Sequence, residues 1–76
     1  MEKQFKTSDI VLAATLKEKG FNLDKIELSG NKGVFLFENV DSGVITDFDL
    51  GKISVEPVSF NNAIKTLTTS VRRVLN

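Results

Sequence analysis

Residues 23–38 read LDKIELSGNKGVFLFE, and the fold that the sequence predicts is built around this stretch. Two strand candidates, 23–28 and 34–38, flank the run SGNKG at 29–33, which is rich in residues that tolerate positive φ. This pattern predicts a β-hairpin. The second strand contains VFLF and is apolar on both faces, which is typical of a strand that is covered on both sides or central in a small sheet.

Upstream of the hairpin, residues 8–19 predict a helix. Thr7 or Ser8 can cap its N-terminus, and Asp9 then lies in the first turn, where the helix dipole favours an acid. Its apolar residues cover more than one helical stripe, so we expect the helix to be largely buried. Gly20 supplies the left-handed residue that ends a helix in a Schellman motif.

Residues 41–50 fit two structures. As a strand, the even-numbered residues from 44 to 50 would share one face. As a helix, the segment has an Asp-Ser start that can cap it and Gly51 to end it, and these bracketing signals favour the helix. Residues 52–55 would then form a short third strand, closed by Pro57.

The C-terminal segment predicts a helix over residues 59–74, with Ser59 as its N-cap. Apolar residues recur there at spacings of three and four and draw one stripe along it. The run TLTTS at 66–70 contains poor helix formers, so packing and not intrinsic propensity must hold this helix.

Together these elements predict an α+β fold, in which a small antiparallel sheet built on the hairpin is packed by an N-terminal and a C-terminal helix. The expected element order is α-β-β-α-β-α, and the strand order stays open. A chain of 76 residues predicts a single small domain over residues 1–76, and a domain of this size has a thin core.

The composition argues against an enzyme. The chain contains no His, Cys, Trp or Tyr, which removes the usual general base near neutral pH and the ordinary ligands of zinc. Its serines have no imidazole to activate them. We therefore expect a protein that is not an enzyme, with no catalytic residue, no cofactor and no metal site. The polar start MEKQ and the lack of a long apolar run predict a cytoplasmic protein without a membrane partner.

Three local motifs resemble known binding sites. DFDLG at 47–51 starts like a calcium loop but lacks the glycine and the acids that the later loop positions need. Gly51-Lys52 lacks the rest of a phosphate-binding loop. KGVFLF at 32–37 resembles part of the aromatic strand with which RNA-recognition modules stack bases, although Phe35 and Phe37 are expected in the core.

The charge is zero overall but unevenly distributed. Residues 38–56 hold five acids and one lysine, a net charge of −4, whereas residues 57–76 hold Lys65, Arg72 and Arg73 and no acid, a net charge of +3. This separation favours an interaction or accessory module that binds a protein partner or associates with itself. The alternative is a small nucleic-acid-binding protein of a mobile element or phage that contacts phosphates through Lys65, Arg72 and Arg73.

The order of these features resembles a family of short uncharacterised bacterial and phage domains, a domain of unknown function. The matching motifs are mostly caps, turns and core residues: FKTSD at 5–9, LAA at 12–14, KGF at 19–21, GNK at 30–32, FLFE at 35–38, and VEP at 55–57 with Phe60, Ala63 and Leu67. The family tends to have Asp in place of Glu56, and a Tyr-Trp pair late in its middle helix where this chain has only Phe48. The resemblance implies the same α-β-β-α-β-α order and no functional site.

Overall fold

Three strands and three helices make up the part of the chain that the structure, a computed structural model, describes, which is residues 4–75. The α+β class is confirmed. The elements are β1 (Gln4–Thr7), α1 (Ile10–Glu18), β2 (Leu23–Ser29), β3 (Lys32–Glu38), α2 (Ser42–Asp49) and α3 (Pro57–Leu75). Within residues 4–75, no helix is long and apolar enough to cross a membrane.

The sheet has the strand order β1-β3-β2, and both strand pairs are antiparallel. The apolar strand β3 is therefore central, in agreement with its apolar pattern. The predicted hairpin is also confirmed: Ser29 pairs with Lys32, which leaves Gly30 and Asn31 as a two-residue turn. Gly30 has φ +63°, and a positive φ at the first turn residue is a conformation that glycine adopts without steric cost.

The third strand lies elsewhere than predicted. It is β1, which pairs with β3 from Gln4↔Glu38 to Thr7↔Phe35, whereas residues 52–56 are irregular. Both edges of β3 are thus occupied, by β1 and by β2, and no place beside it is left for residues 52–55. That segment instead crosses the end of α1, where the Lys19 Nζ donates to the Ser54 carbonyl oxygen at 2.8 Å.

The N-cap of helix α1 is Asp9, and not Thr7 or Ser8 as predicted. The Asp9 carboxylate accepts from the amides of Val11 at 2.9 Å and Leu12 at 3.3 Å. The Thr7 Oγ1 accepts from the Asp9 amide at 3.0 Å and so supports the cap from outside the helix.

The end of α1 confirms the predicted Schellman motif. Gly20 has φ +92° and its amide donates to the Lys17 carbonyl at 3.1 Å. The amide of Phe21 donates to the Leu16 carbonyl at 3.1 Å, which is the second bond of the motif. This turn redirects the chain from α1 into the hairpin.

The core lies between one face of the sheet and the helices. Five consecutive residues of α1, 12–16, are buried, which confirms the expectation that this helix is enclosed on several sides. Phe35 and Phe37 of β3 and Ala63 and Leu67 of α3 complete the buried cluster. The Cα atoms span 35 × 34 × 18 Å, and the short dimension corresponds to one sheet and one layer of helices.

Leu36 of β3 is buried but does not belong to the core cluster, and it lies on the other face of the sheet. Because successive side chains of a strand alternate, Leu36 points to this face while its neighbours Phe35 and Phe37 point to the core. Leu36 is nevertheless only 1% exposed. Its cross-strand neighbours are Lys6 and Lys25, whose aliphatic stems can cover it while their ammonium groups stay in water.

Helix α2 confirms the helical interpretation of residues 41–50. Asp41 is its N-cap and accepts from the Gly43 amide at 3.0 Å, and Gly51, with φ +70°, follows its C-cap. The helix contributes no fully buried side chain. Its contact with the core comes from three half-buried residues, Val44, Ile45 and Phe48.

Helix α3 starts at Pro57, two residues before the predicted Ser59. Pro57 is the first helical residue, where its fixed φ suits the helix and its missing N–H costs nothing. Glu56 precedes it and accepts from the Ser59 amide through its carboxylate, at 2.6 Å. Ser59 is therefore a donor at the third helical position and not the cap.

Gly33 lets α3 approach the sheet closely. A Cβ built on Gly33 would lie 2.8 Å from Val71 Cγ2 and 2.9 Å from Val71 Cγ1, closer than carbon atoms pack. The central strand therefore needs a residue without a side chain where α3 crosses it. We predict that Gly33→Ala lowers the free energy of unfolding by about 1–3 kcal/mol, measured by urea denaturation, because α3 or Val71 must move.

The matched test is the double variant Gly33→Ala with Val71→Ala, which removes the two methyl groups in question. The cost of the double variant should be smaller than the sum of the two single costs. Strictly additive costs would show that the contact between Gly33 and Val71 does not limit the approach of α3.

Candidate functional site

The acidic residues of the middle segment do not gather into a metal or catalytic centre. Residues 4–75 contain no group of three or more His, Cys, Asp or Glu that could hold a metal ion. Asp47 and Asp49 both lie on α2, where a separation of two residues places them about 200° apart around the helix axis. The two carboxylates therefore face different surroundings.

The aromatic side chains of β3 are not available to stack on bases. Phe35 is 2% exposed and Phe37 is 0% exposed, and both belong to the core cluster. Base stacking needs aromatic rings on the open face of a sheet. The opposite face of β3 carries Val34, Leu36 and Glu38 and no aromatic residue, so the interpretation of these phenylalanines as core residues is confirmed.

The three cations expected to form an anion-binding face all lie exposed on α3, and two of them line the same cleft. Lys65 and Arg73 line one shallow cleft of about 300 Å³ with the hydroxyl-bearing residues Thr66, Thr69 and Ser70. Arg72 lies seven residues after Lys65, about 20° from it around the helix axis, and about 100° from Arg73. It borders a smaller depression of about 200 Å³ whose lining includes Ser8 and Gly33.

Glu56 fixes the start of the helix that carries these cations. Its carboxylate accepts from the Ser59 amide, and this hydrogen bond holds the pKa of Glu56 below its ordinary value of 4.5. A smaller effect in the same direction comes from the Val58 amide. The ionised carboxylate also lies at the positive end of the helix dipole of α3.

A groove that the sequence analysis did not predict lies between the edge strand β1 and helix α2. Its volume is about 390 Å³. The lining is uncharged and combines three apolar and three polar side chains: Phe5, Val40, Ile45, Gln4, Ser42 and Thr46. We call it the β1–α2 groove. Its sequence signal is the apolar Phe5 between polar neighbours, which becomes informative only once β1 is known to be a strand.

A fourth cavity, a groove of about 490 Å³, lies at the end of α1. It is lined by Lys19, Asp47 and Lys52 together with four further residues, Phe21, Val44, Ile53 and Ser54. The ammonium group of Lys19 already donates to the Ser54 carbonyl across it. This groove therefore serves at least in part to hold the irregular segment 52–56 in place.

The separation of charge along the sequence persists in space. Helix α3 packs on α1 and β2, whereas α2 shares a groove with β1, the strand at the opposite edge of the sheet. Helix α2 holds Asp47 and Asp49 and no cation, and α3 holds Lys65, Arg72 and Arg73 and no acid. One side of the helical layer is thus acidic and the other basic.

The large apolar side chains that are exposed among residues 4–74 come from several elements. They are Val11 of α1, Leu28 of β2, Leu50 at the end of α2, and Val58 and Val74 of α3. The last two are sixteen residues apart and therefore about 24 Å apart along one helix. Single exposed apolar residues are normal on a soluble surface and do not by themselves make an interface.

The chain belongs to a family described as a domain of unknown function, DUF5659, whose family model matches residues 2–72. No curated protein and no solved structure matches the chain.

We predict that Glu56→Gln destabilises the protein above pH 4.5 and that its effect fades in acid. The pKa of Glu56 is lowered in the folded state, so its stabilising contribution is present above the unfolded value and is lost as pH falls through the folded value. Urea denaturation of both proteins from neutral pH downward measures the difference. A difference that stays constant below pH 4.5 would show that the charge of Glu56 does not stabilise α3.

Proposed function

We propose that this chain is a non-enzymatic interaction module that binds a protein partner through the β1–α2 groove. The observation that carries the proposal is an uncharged, partly apolar groove beside a strand edge that pairs with nothing else among residues 4–75. Grooves of this kind between a strand and a helix are a recurring way to bind a polypeptide. The acidic residues of α2 beside the groove add a means of selecting the partner.

A role outside catalysis agrees with the chemistry of the groove. Its six lining residues include no acid, no lysine and no arginine, so it offers no general acid or base and no charged group for a reacting centre. Serine and threonine hydroxyls are present, but no described side chain beside them could activate them. Binding is therefore the activity that these residues support best.

A separate partner is better supported than self-association. The large exposed apolar residues among residues 4–74 belong to several different elements, which does not favour a single apolar patch for a second copy to bury. Two copies joined at β1 would also bring two acidic α2 helices toward each other, which like-charge repulsion disfavours.

Site-specific photocrosslinking in the host cell tests the proposal. A photoreactive residue at position 46, in the β1–α2 groove, should form a discrete adduct with one protein, identified by mass spectrometry. The same residue at position 69, an exposed threonine on α3, is the matched control and should not form that adduct. Equal adducts at both positions, or none at position 46, would contradict the proposal.

A second candidate function is the binding of nucleic acid by α3. The observation in its favour is the cleft that Lys65 and Arg73 share with three hydroxyl-bearing residues, because such groups contact phosphates. Arg72 lies close by on the same helix and could reach a neighbouring phosphate. The number of cations is small, however, and the acidic side of the molecule would repel the same ligand.

The salt dependence of binding tests this second function. Three phosphate contacts predict that the logarithm of the affinity for duplex DNA falls with the logarithm of salt concentration with a slope of about −2.7, and Arg73→Ala should reduce this slope by about 0.9. Lys32→Ala, on the exposed end of β3, is the control and should leave it unchanged. Fluorescence anisotropy measures both. Binding that Arg73→Ala does not weaken would exclude the α3 cleft as the site.

A further inference from the structure

Strand β1 presents an unpaired edge. The order β1-β3-β2 places it outermost, with one edge paired to β3 from Gln4↔Glu38 to Thr7↔Phe35. The other edge has no strand beside it in the part of the chain that the structure describes. The free N–H and C=O groups of such an edge form a template on which another extended chain can pair.

The β1–α2 groove lies beside this edge, on the face of the sheet that carries the helices. Phe5 faces that side, since it pairs with the buried Phe37. Ile45 and Val40 are half-buried and supply the remaining apolar lining. In an added strand every second side chain would point toward the helical layer and enter this groove. The intervening side chains would point to the opposite face of the sheet.

Helix α2 supplies the charge selection. Ser42, Ile45 and Thr46 line the groove, and Asp49 continues the same stripe at the spacing i, i+3, i+4, i+7. Asp49 is exposed, and Asp41 lies at the opposite end of the helix. Residues 38–51 contain no lysine or arginine, so the helix that forms this wall has an acid at each end, outside the uncharged lining, and no cation of its own.

The structure also allows this wall to adapt. Helix α2 has no fully buried side chain and rests on the core through half-buried residues only. Elements with little buried apolar surface open at lower cost than the core around them. A groove with one rigid wall, β1 paired to the central strand, and one lightly packed wall can widen to admit a chain.

From these features, and resting on the proposed function, we infer that the edge of β1 and the β1–α2 groove together take up an extended segment of a partner protein. The segment pairs with β1 as an added strand. It places an apolar side chain in the groove between Phe5 and Ile45, and a lysine or arginine two positions away, on the same face, toward the acidic residues of α2. The partner is thus recognised by the pattern apolar-x-basic in an extended chain.

Selection from a random peptide display library on the purified full chain tests the inference. We expect the selected peptides to be enriched in the apolar-x-basic pattern. For a chemically synthesised selected peptide, the amide shifts of the labelled protein should change at residues 4–7 and 40–49. Exchanging the basic residue of that peptide for Glu should weaken binding at least tenfold.

Two exposed helical threonines provide matched variants. Thr46→Lys places a bulky cation in the groove and should abolish binding, whereas Thr69→Lys adds the same charge on α3 and should leave it unchanged. Equal far-ultraviolet circular dichroism spectra of the two variants control for folding. If Thr46→Lys also failed to fold, the amide shifts of the unmodified protein would still locate the site.

The remaining outcomes separate the inference from the proposed function. Selected peptides that bind Thr46→Lys as well as the unmodified protein would overturn the groove as the binding site, and with it both the inference and the proposed function. Selected peptides that bind in the groove as helices, or that lack a basic residue, would overturn the inference of an extended basic segment and leave the proposed function standing. If the amide shifts at residues 4–7 changed with protein concentration in the absence of peptide, the edge of β1 would bind a second copy of the chain and the inference would be overturned. No enrichment over an unrelated protein would overturn both.

Discussion

The shared burial of α1 and the central strand β3 is the constraint on which the rest of the structure depends. Phe35 and Phe37 point to one face of the sheet, and a run of five buried residues in α1 covers that face. In a chain of 76 residues this single cluster is nearly all the core there is. Everything else is arranged around it: α3 packs on one side of α1, and α2 lies toward the other edge of the sheet.

This arrangement distributes stability unevenly. Helix α3 is held by buried Ala63 and Leu67, by the close approach of Val71 to Gly33, and by the Glu56 cap. Helix α2 has caps at both ends but no buried side chain. The proposed binding groove lies between α2 and the short strand β1. The surface assigned to function is therefore the one that the core stabilises least, as is common for binding elements.

The features that could be predicted from the sequence are those with local causes. Gly20 ends α1 by donating to the Lys17 carbonyl, Gly30 makes the hairpin turn, and Gly51 follows the end of α2. Each depends on a residue type at a fixed distance from its partner. The apolar pattern of β3 likewise predicted a central strand, because alternation between faces is a local property.

The errors arose where the cause is distant along the chain. Strand β1 has four residues. Its Phe5 pairs with Phe37, which lies 32 positions later in the sequence. Residues 52–55 have the composition of a strand, but β1 and β2 occupy both edges of β3. Lys65, Arg72 and Arg73 lie on one exposed helix, as predicted, but which of them line the same cleft depends on how α3 packs. The β1–α2 groove could not be predicted without β1.

Native-state hydrogen exchange, measured for each amide as a function of low urea concentrations, tests the central claim most directly. The claim is that a rigid unit of β3, α1 and α3 supports a lightly held α2 beside the groove. The account predicts that the amides of Leu16, Phe35 and Phe37 exchange only through global unfolding, and that those of residues 46–49 in α2 exchange through an opening of lower free energy with a smaller urea dependence. Equal free energies of opening for α2 and β3 would contradict it.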